Sequence, residues 1–131
     1  MVRFARFIDG ASLVAHNAAF DRRFLDAELA MIGERRQQEM ACSLLVARRL
    51  YPGAPNHKLQ TLVHYHHLPT SGTYHRALAD AEMTAHLWRR MVYDVASACG
   101  CSPVPFAVLK GLCGVRKNQV QAYLQRHVAG L

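Results

Sequence analysis

The chain has 131 residues, enough for one hydrophobic core but not for two. Sixteen lysines and arginines against nine acidic residues give a net charge of +7, which suits a polyanionic partner, and a 51% apolar composition marks a globular chain. No apolar run approaches the ~20 residues of a membrane span and no signal-peptide core is visible, so the expected location is the cytoplasm.

Val2 to Ile8 reads as the last turns of a helix closed by Asp9-Gly10. Ser12 to Ala15 is nearly all apolar without alternation, as expected of a strand covered on both faces. A helix follows from Ala18 to Ile32, with Gly33 suited to a left-handed cap. Its Phe20, Phe24, Ala27 and Met31 recur at helical spacing and are expected in the core. Glu39 to Cys42 reads as a second short strand, and Ser43 as the cap of a helix through Leu50 that Pro52-Gly53 ends. Asn56 would cap a helix from His57 to His67, and Pro69 to Thr73 forms a polar loop.

The longest helix begins near Arg76 and ends at Gly100, with Leu78, Ala81, Ala85, Trp88, Val92 and Val95 as its apolar stripe. Leu87 and Met91 add a second apolar edge, which predicts burial on more than one side. After Pro103 and Pro105, two short helices are expected over Phe106 to Leu112 and Lys117 to His127. The organisation expected is therefore a first unit over residues 1–100 and a C-terminal helical pair over 101–131. Between the last two helices, Leu112-Cys113-Gly114-Val115 faintly resembles a helix-hairpin-helix turn, but Arg116 replaces its second glycine. A plain helical pair covering the core is the preferred reading.

Two stretches carry the chemistry. In Tyr74-His75-Arg76-Ala77-Leu78-Ala79-Asp80-Ala81-Glu82-Met83-Thr84, a histidine precedes an aspartate by five residues at the start of the long helix. Helical neighbours fall at three and four, so this spacing fits a loop histidine beside a helix carboxylate, a base next to a metal ligand. In Leu13-Val14-Ala15-His16-Asn17-Ala18-Ala19-Phe20-Asp21-Arg22-Arg23-Phe24-Leu25, a strand runs into a helix whose first carboxylate is Asp21. In order, these stretches resemble the second and third motifs of the DEDDh 3′–5′ exonucleases, the family of the proofreading epsilon subunit of DNA polymerase III and of ribonuclease T. The resemblance runs from Phe7 to Trp88 and includes Cys42-Ser43-Leu44-Leu45 and Leu50-Tyr51-Pro52-Gly53.

The resemblance implies an α/β ribonuclease-H-like fold and hydrolysis of phosphodiester bonds with two divalent ions, magnesium or manganese. It implies Asp21 and Asp80 as metal ligands and His75 as the group that takes the proton from the attacking water. His16, Asn17 and Phe20 would then line the approach of a terminal nucleotide at the 3′ end of single-stranded DNA or RNA. An association with a DNA polymerase subunit is a further implication.

The family's first two carboxylates come as Asp-x-Glu on an early strand, where i and i+2 point the same way. Asp26-Ala27-Glu28 and Asp80-Ala81-Glu82 have that spacing but lie in predicted helices, where the two side chains diverge by ~200°. The chain is thus expected to begin after the first three strands of such a sheet, leaving a mostly helical remainder with two or three short strands. Hydrolysis by this chain would be impaired, and an exposed strand edge and apolar face would favour self-association unless another layer covers them. The alternative function is a non-catalytic, basic nucleic-acid-binding or polymerase-associated module; a gene fragment without function is a third.

Other features have plainer readings. Cys42, Cys99, Cys101 and Cys113 include no Cys-x-x-Cys pair, which predicts reduced, mostly buried thiols. His64, His66 and His67 are read as a surface face rather than a zinc site. The arginine doublets at 22–23, 35–36, 48–49 and 89–90 are read singly as solvated or as answering a helix dipole.

Overall fold

The computed structural model describes residues 1–70 and 76–129. A short helix α1 (Val2–Phe7) leads through Gly10 into β1 (Leu13–Ala15), helix α2 (Ala18–Met31) and β2 (Met40–Cys42). The strands pair in parallel, with Leu13 opposite Met40, Val14 opposite Ala41 and Ala15 opposite Cys42. Parallel neighbours need a crossover, and α2 supplies it, so the predicted α/β character rests on one strand–helix–strand unit. At the end of α2, Gly33 adopts φ +73, as its place beyond the apolar periodicity predicts. Its N–H reaches the Ala30 carbonyl, and that of Glu34 reaches Leu29.

Helices α3 (Ser43–Leu50), α4 (Leu59–Tyr65) and α5 (Arg76–Cys99) follow, then α6 (Phe106–Leu112), a 3-10 turn (Lys117–Gln119) and α7 (Val120–Ala129). The long helix α5 packs against β1, α3, α4 and α7 and so ties the sheet to the helical layer. The main core joins Val46, Leu62, Leu87, Met91, Val95, Leu109, Leu112 and Leu124, so α6 and α7 complete the same core as α3 to α5. A second cluster of Ile8, Ala18, Leu25, Leu29, Met40 and Cys42 lies where α1 and α2 meet the sheet. All four cysteines are free thiols, with Cys42 and Cys99 buried. Among the described residues no helix is long and apolar enough to cross a membrane.

Several local expectations are corrected. Phe20, Phe24 and Met31 are not in the core: they are 63%, 60% and 81% exposed, and α2 buries Ala18, Leu25 and Leu29 instead. These two stripes are two residues out of step, hence ~200° apart around the helix. Ala18 lets the backbone come close enough for its N–H to meet the Cys42 thiol at 3.4 Å, and the larger residues are turned outward.

In α5 the buried line is Met83, Leu87, Met91, Val95 and Cys99, while Leu78, Ala81 and Ala85 are exposed and Trp88 and Val92 half-buried. The supposed second edge is the centre of the buried face, because large side chains gain more from burial than alanines. Ser43 does not cap α3; it is the helix's first residue, and its hydroxyl is engaged elsewhere. The fourth helix is shorter than expected, and Asn56 instead folds its side-chain oxygen onto the Lys58 N–H at 3.0 Å.

Candidate functional site

The corner between β1 and α2 is built by His16 and Asn17. Asn17 sits in the left-handed region at φ 72, ψ 57, which asparagine tolerates better than most residues and which turns the chain sharply from strand into helix. Phe20 and Asp21 then emerge from the opening of α2, both exposed. Strain of this kind, held between regular elements, is often found at working sites.

His16 is fixed from both sides. Its Nε2 lies 2.7 Å from the His57 carbonyl oxygen and its Nδ1 2.8 Å from the Ser43 hydroxyl. A carbonyl can only accept, so Nε2 carries the hydrogen, and in the neutral ring Nδ1 accepts from Ser43. Burial pushes the imidazole below its ordinary range; the His57 carbonyl opposes this, and the charges of Arg48 and His57 add to it. His57 is itself anchored, its Nε2 donating to the Tyr51 carbonyl at 2.8 Å. The sequence pattern does not show this support. Ser43 reads locally as a cap and His57 as the start of a helix, and their shared role appears only when residues 27 and 41 positions from His16 are brought to it.

Asp80 lies on the exposed surface near the start of α5, and α5 packs against β1, the strand that leads into the helix of Asp21. The backbone there is braced by Thr84, whose buried hydroxyl donates to the Asp80 carbonyl at 2.8 Å. His75 lies outside the described residues, as does most of the predicted loop before it.

Carboxylates such as Asp21 and Asp80 are suitable oxygen donors for magnesium or manganese. Among the described residues, however, no three histidines, cysteines, aspartates or glutamates come together as a metal-holding group. Neither strand bears a carboxylate, β1 being Leu13-Val14-Ala15 and β2 Met40-Ala41-Cys42. The described residues therefore do not make a complete site for a pair of divalent ions. Nor do His64, His66 and His67: His64 and His67 are exposed, and the His66 ring packs edge-on against Tyr51 with centroids 4.2 Å apart.

No solved structure matches the chain. Among curated proteins it is similar to the PolC-type DNA polymerase III of Halalkalibacterium halodurans, at 41% identity over 92 residues, covering 70% of this chain and 6% of that protein. The corresponding protein of Listeria monocytogenes is 37% identical over 93 residues, 70% of this chain and 6% of its own length. That of Bacillus subtilis is 36% identical over 95 residues, 71% of this chain and 6% of its own length. The chain thus spans only about 6% of the length of these relatives. Residues 1–88, which hold the β1–α2 corner and the first half of α5, match the sequence model of the exonuclease family, and the chain belongs to that family of nucleases.

Proposed function

We propose that this chain carries part of the catalytic apparatus of a DEDDh-type 3′–5′ exonuclease, acting on the 3′ end of single-stranded DNA or RNA. The observation that supports the reading is the β1–α2 corner, where Asn17 in the left-handed conformation turns Phe20 and Asp21 to the surface, while the helix that bears Asp80 packs on β1. In this reading Asp21 and Asp80 are oxygen ligands, and His75 accepts the proton of the attacking water, a role suited to an imidazole's ordinary pKa of ~6.5. Asn17 and Phe20 line the nucleotide's approach. His16, with both ring nitrogens engaged, contributes by packing and by holding the corner. Magnesium or manganese, where held by a full ligand set, would supply a polarised phosphate and an activated water.

Two carboxylates are too few for that set, so hydrolysis by this chain alone is impaired. A segment bearing Asp-x-Glu, covalently joined or from a partner, would complete it. The names of the relatives favour a setting beside a DNA polymerase. A second reading, a non-catalytic basic module that binds nucleic acid or a polymerase, draws on the absence of a metal-holding group among the described residues together with the net charge of +7.

The two readings part in one assay. A 5′-labelled single strand is incubated with manganese and either this chain, the chain joined to a strand segment carrying Asp-x-Glu, or the joined chain with Asp80→Asn. Stepwise shortening from the 3′ end by the joined chain alone supports the exonuclease reading. Equal products from all three, or none from any, would remove Asp80 from the site or the chain from catalysis.

A further inference from the structure

The chain's charge is unevenly placed. Residues 1–94 hold all nine acidic residues against twelve basic ones, whereas residues 95–131 hold Lys110, Arg116, Lys117 and Arg126 and neither aspartate nor glutamate. More than half of the net charge thus belongs to the segment beyond the family match, which contains α6 and α7.

The cations are concentrated where these two helices join. Arg116, Lys117, Asn118 and Gln119 form an exposed run after α6, and the exposed surface continues along α7 through Gln121, Gln125 and Arg126. Arg116 and Lys117 have no ion-pair partner among the described residues, unlike Lys110, which meets Glu39 at 3.4 Å. Amides beside cations offer additional donors to phosphate oxygens.

This tip is rigidly mounted. Arg49 reaches from α3 to donate to the Val115 carbonyl at 2.6 Å and to the Leu45 carbonyl at 2.8 Å. Tyr123 of α7 donates its hydroxyl to the Val108 carbonyl of α6 at 2.7 Å, its ring lying over Gly111 where a Cβ would come 2.2 Å from the hydroxyl oxygen. Leu109, Leu112 and Leu124 anchor both helices in the main core. A preformed surface gives up little conformational freedom on docking.

We propose that the α6–α7 tip is a docking surface for the phosphate backbone of a nucleic-acid duplex, built from residues other than those of the candidate site. Single strands are held largely by stacking bases on aromatic rings, and the aromatic side chains here are half-buried and already engaged with other groups of the chain. Phe106 packs against Trp88 with centroids 5.9 Å apart, and Tyr123 meets His127 at 4.6 Å while tied to Val108. What the tip presents is fixed cations and amides, which suit the regular phosphates of a duplex and carry no reading of sequence. The proposal concerns binding alone and stands whether or not the candidate site turns over.

The test is fluorescence anisotropy with the whole chain in EDTA, using a labelled 20-base-pair DNA duplex or one of its strands across a salt series. R116Q/K117Q removes two charges from the tip, and R35Q/R89Q removes two from exposed positions elsewhere. At ~0.9 per phosphate contact, the tip variant should lower the slope of log affinity against log salt by about 2 and weaken duplex binding by roughly tenfold or more. R35Q/R89Q should change both far less, and R116K/K117R should retain binding. Thermal melts check the fold; should R116Q/K117Q melt early, Lys117→Gln alone should show about half the change in slope. Equal losses in the two double variants, an unchanged slope, single-strand binding as tight as duplex binding, or equally effective competition by polyglutamate would each overturn the proposal.

Discussion

His16 and Ser43 meet at 2.8 Å across the joint between the strand–helix corner and α3, and the serine is fully buried. The pair couples the mouth of the candidate site to the main core. Replacing His16 with alanine strands the Ser43 hydroxyl and the His57 carbonyl, which should cost ~1–3 kcal/mol of stability, measured by chemical denaturation.

The same histidine makes stability depend on pH in a defined direction. Burial holds the folded imidazole below its ordinary range, so the unfolded chain takes up a proton first as pH falls. The contribution is intact above ~6.5 and is lost progressively below it, towards the folded value. His66 acts in the same sense, its ring disfavoured as a cation by burial and by Arg90, with Asp94 opposing. The melting temperature should fall on going from about pH 7 to pH 5, and His16→Gln should flatten part of that fall. A melt independent of pH would remove this account of the corner.

Asn17 provides a sharper test of backbone geometry. Its left-handed conformation is easy for glycine and unfavourable for alanine. Asn17→Gly should leave stability nearly unchanged, whereas Asn17→Ala should lower it by ~1 kcal/mol. Comparable losses in both variants would mean that the side chain, rather than the turn, is what matters.

Tyr51 should resist ionisation. Burial raises its phenol well above the ordinary range, and the Asp94 carboxylate, which accepts its hydrogen bond at 2.5 Å, adds to the effect. In a spectrophotometric titration of the folded chain, the Tyr51→Phe variant should show the same phenolate absorbance as the parent around pH 10 to 11, because Tyr51 contributes none there. A deficit of one tyrosine in the variant would contradict the burial argument.

The outward face of α2 should drive association. Phe20, Phe24 and Met31 are exposed large apolar side chains along one face of α2, and Val2, Phe4 and Phe7 of α1 are exposed as well. Such a surface favours self-association unless another layer covers it. Light scattering should show oligomers whose mass falls in Phe24→Ser with little change in melting temperature. By contrast, Leu87→Ala, in the fully buried line of α5, should cost ~2–5 kcal/mol without altering assembly of the folded fraction.

Much of the architecture was legible in residue order. Gly33 and Gly100 mark the ends of the two long helices because both take the left-handed conformation there. The limits of α6 are also those read from its apolar spacing. Helix orientation was less legible. The phenylalanines of α2 and the alanines of α5 have the right period, but period does not say which of two opposite stripes faces a sheet that is itself built from distant residues. The surroundings of the candidate site divide in the same way. Asp21 and Asp80 stand out by their local motifs, while Ser43 and His57 become partners of His16 only through long-range folding.

The pairing of β1 with β2 has a further consequence. Three residues on each side, in parallel, form a ladder too small to persist without the helices packed on it. Its amide hydrogens should therefore exchange with solvent through local openings, well before those of Leu87 and Met91 in the middle of α5. A bound nucleotide or partner resting on Asn17 and Phe20 would slow that exchange, so deuterium uptake at Leu13 to Ala15 would report occupancy of the corner even when no bond is cut.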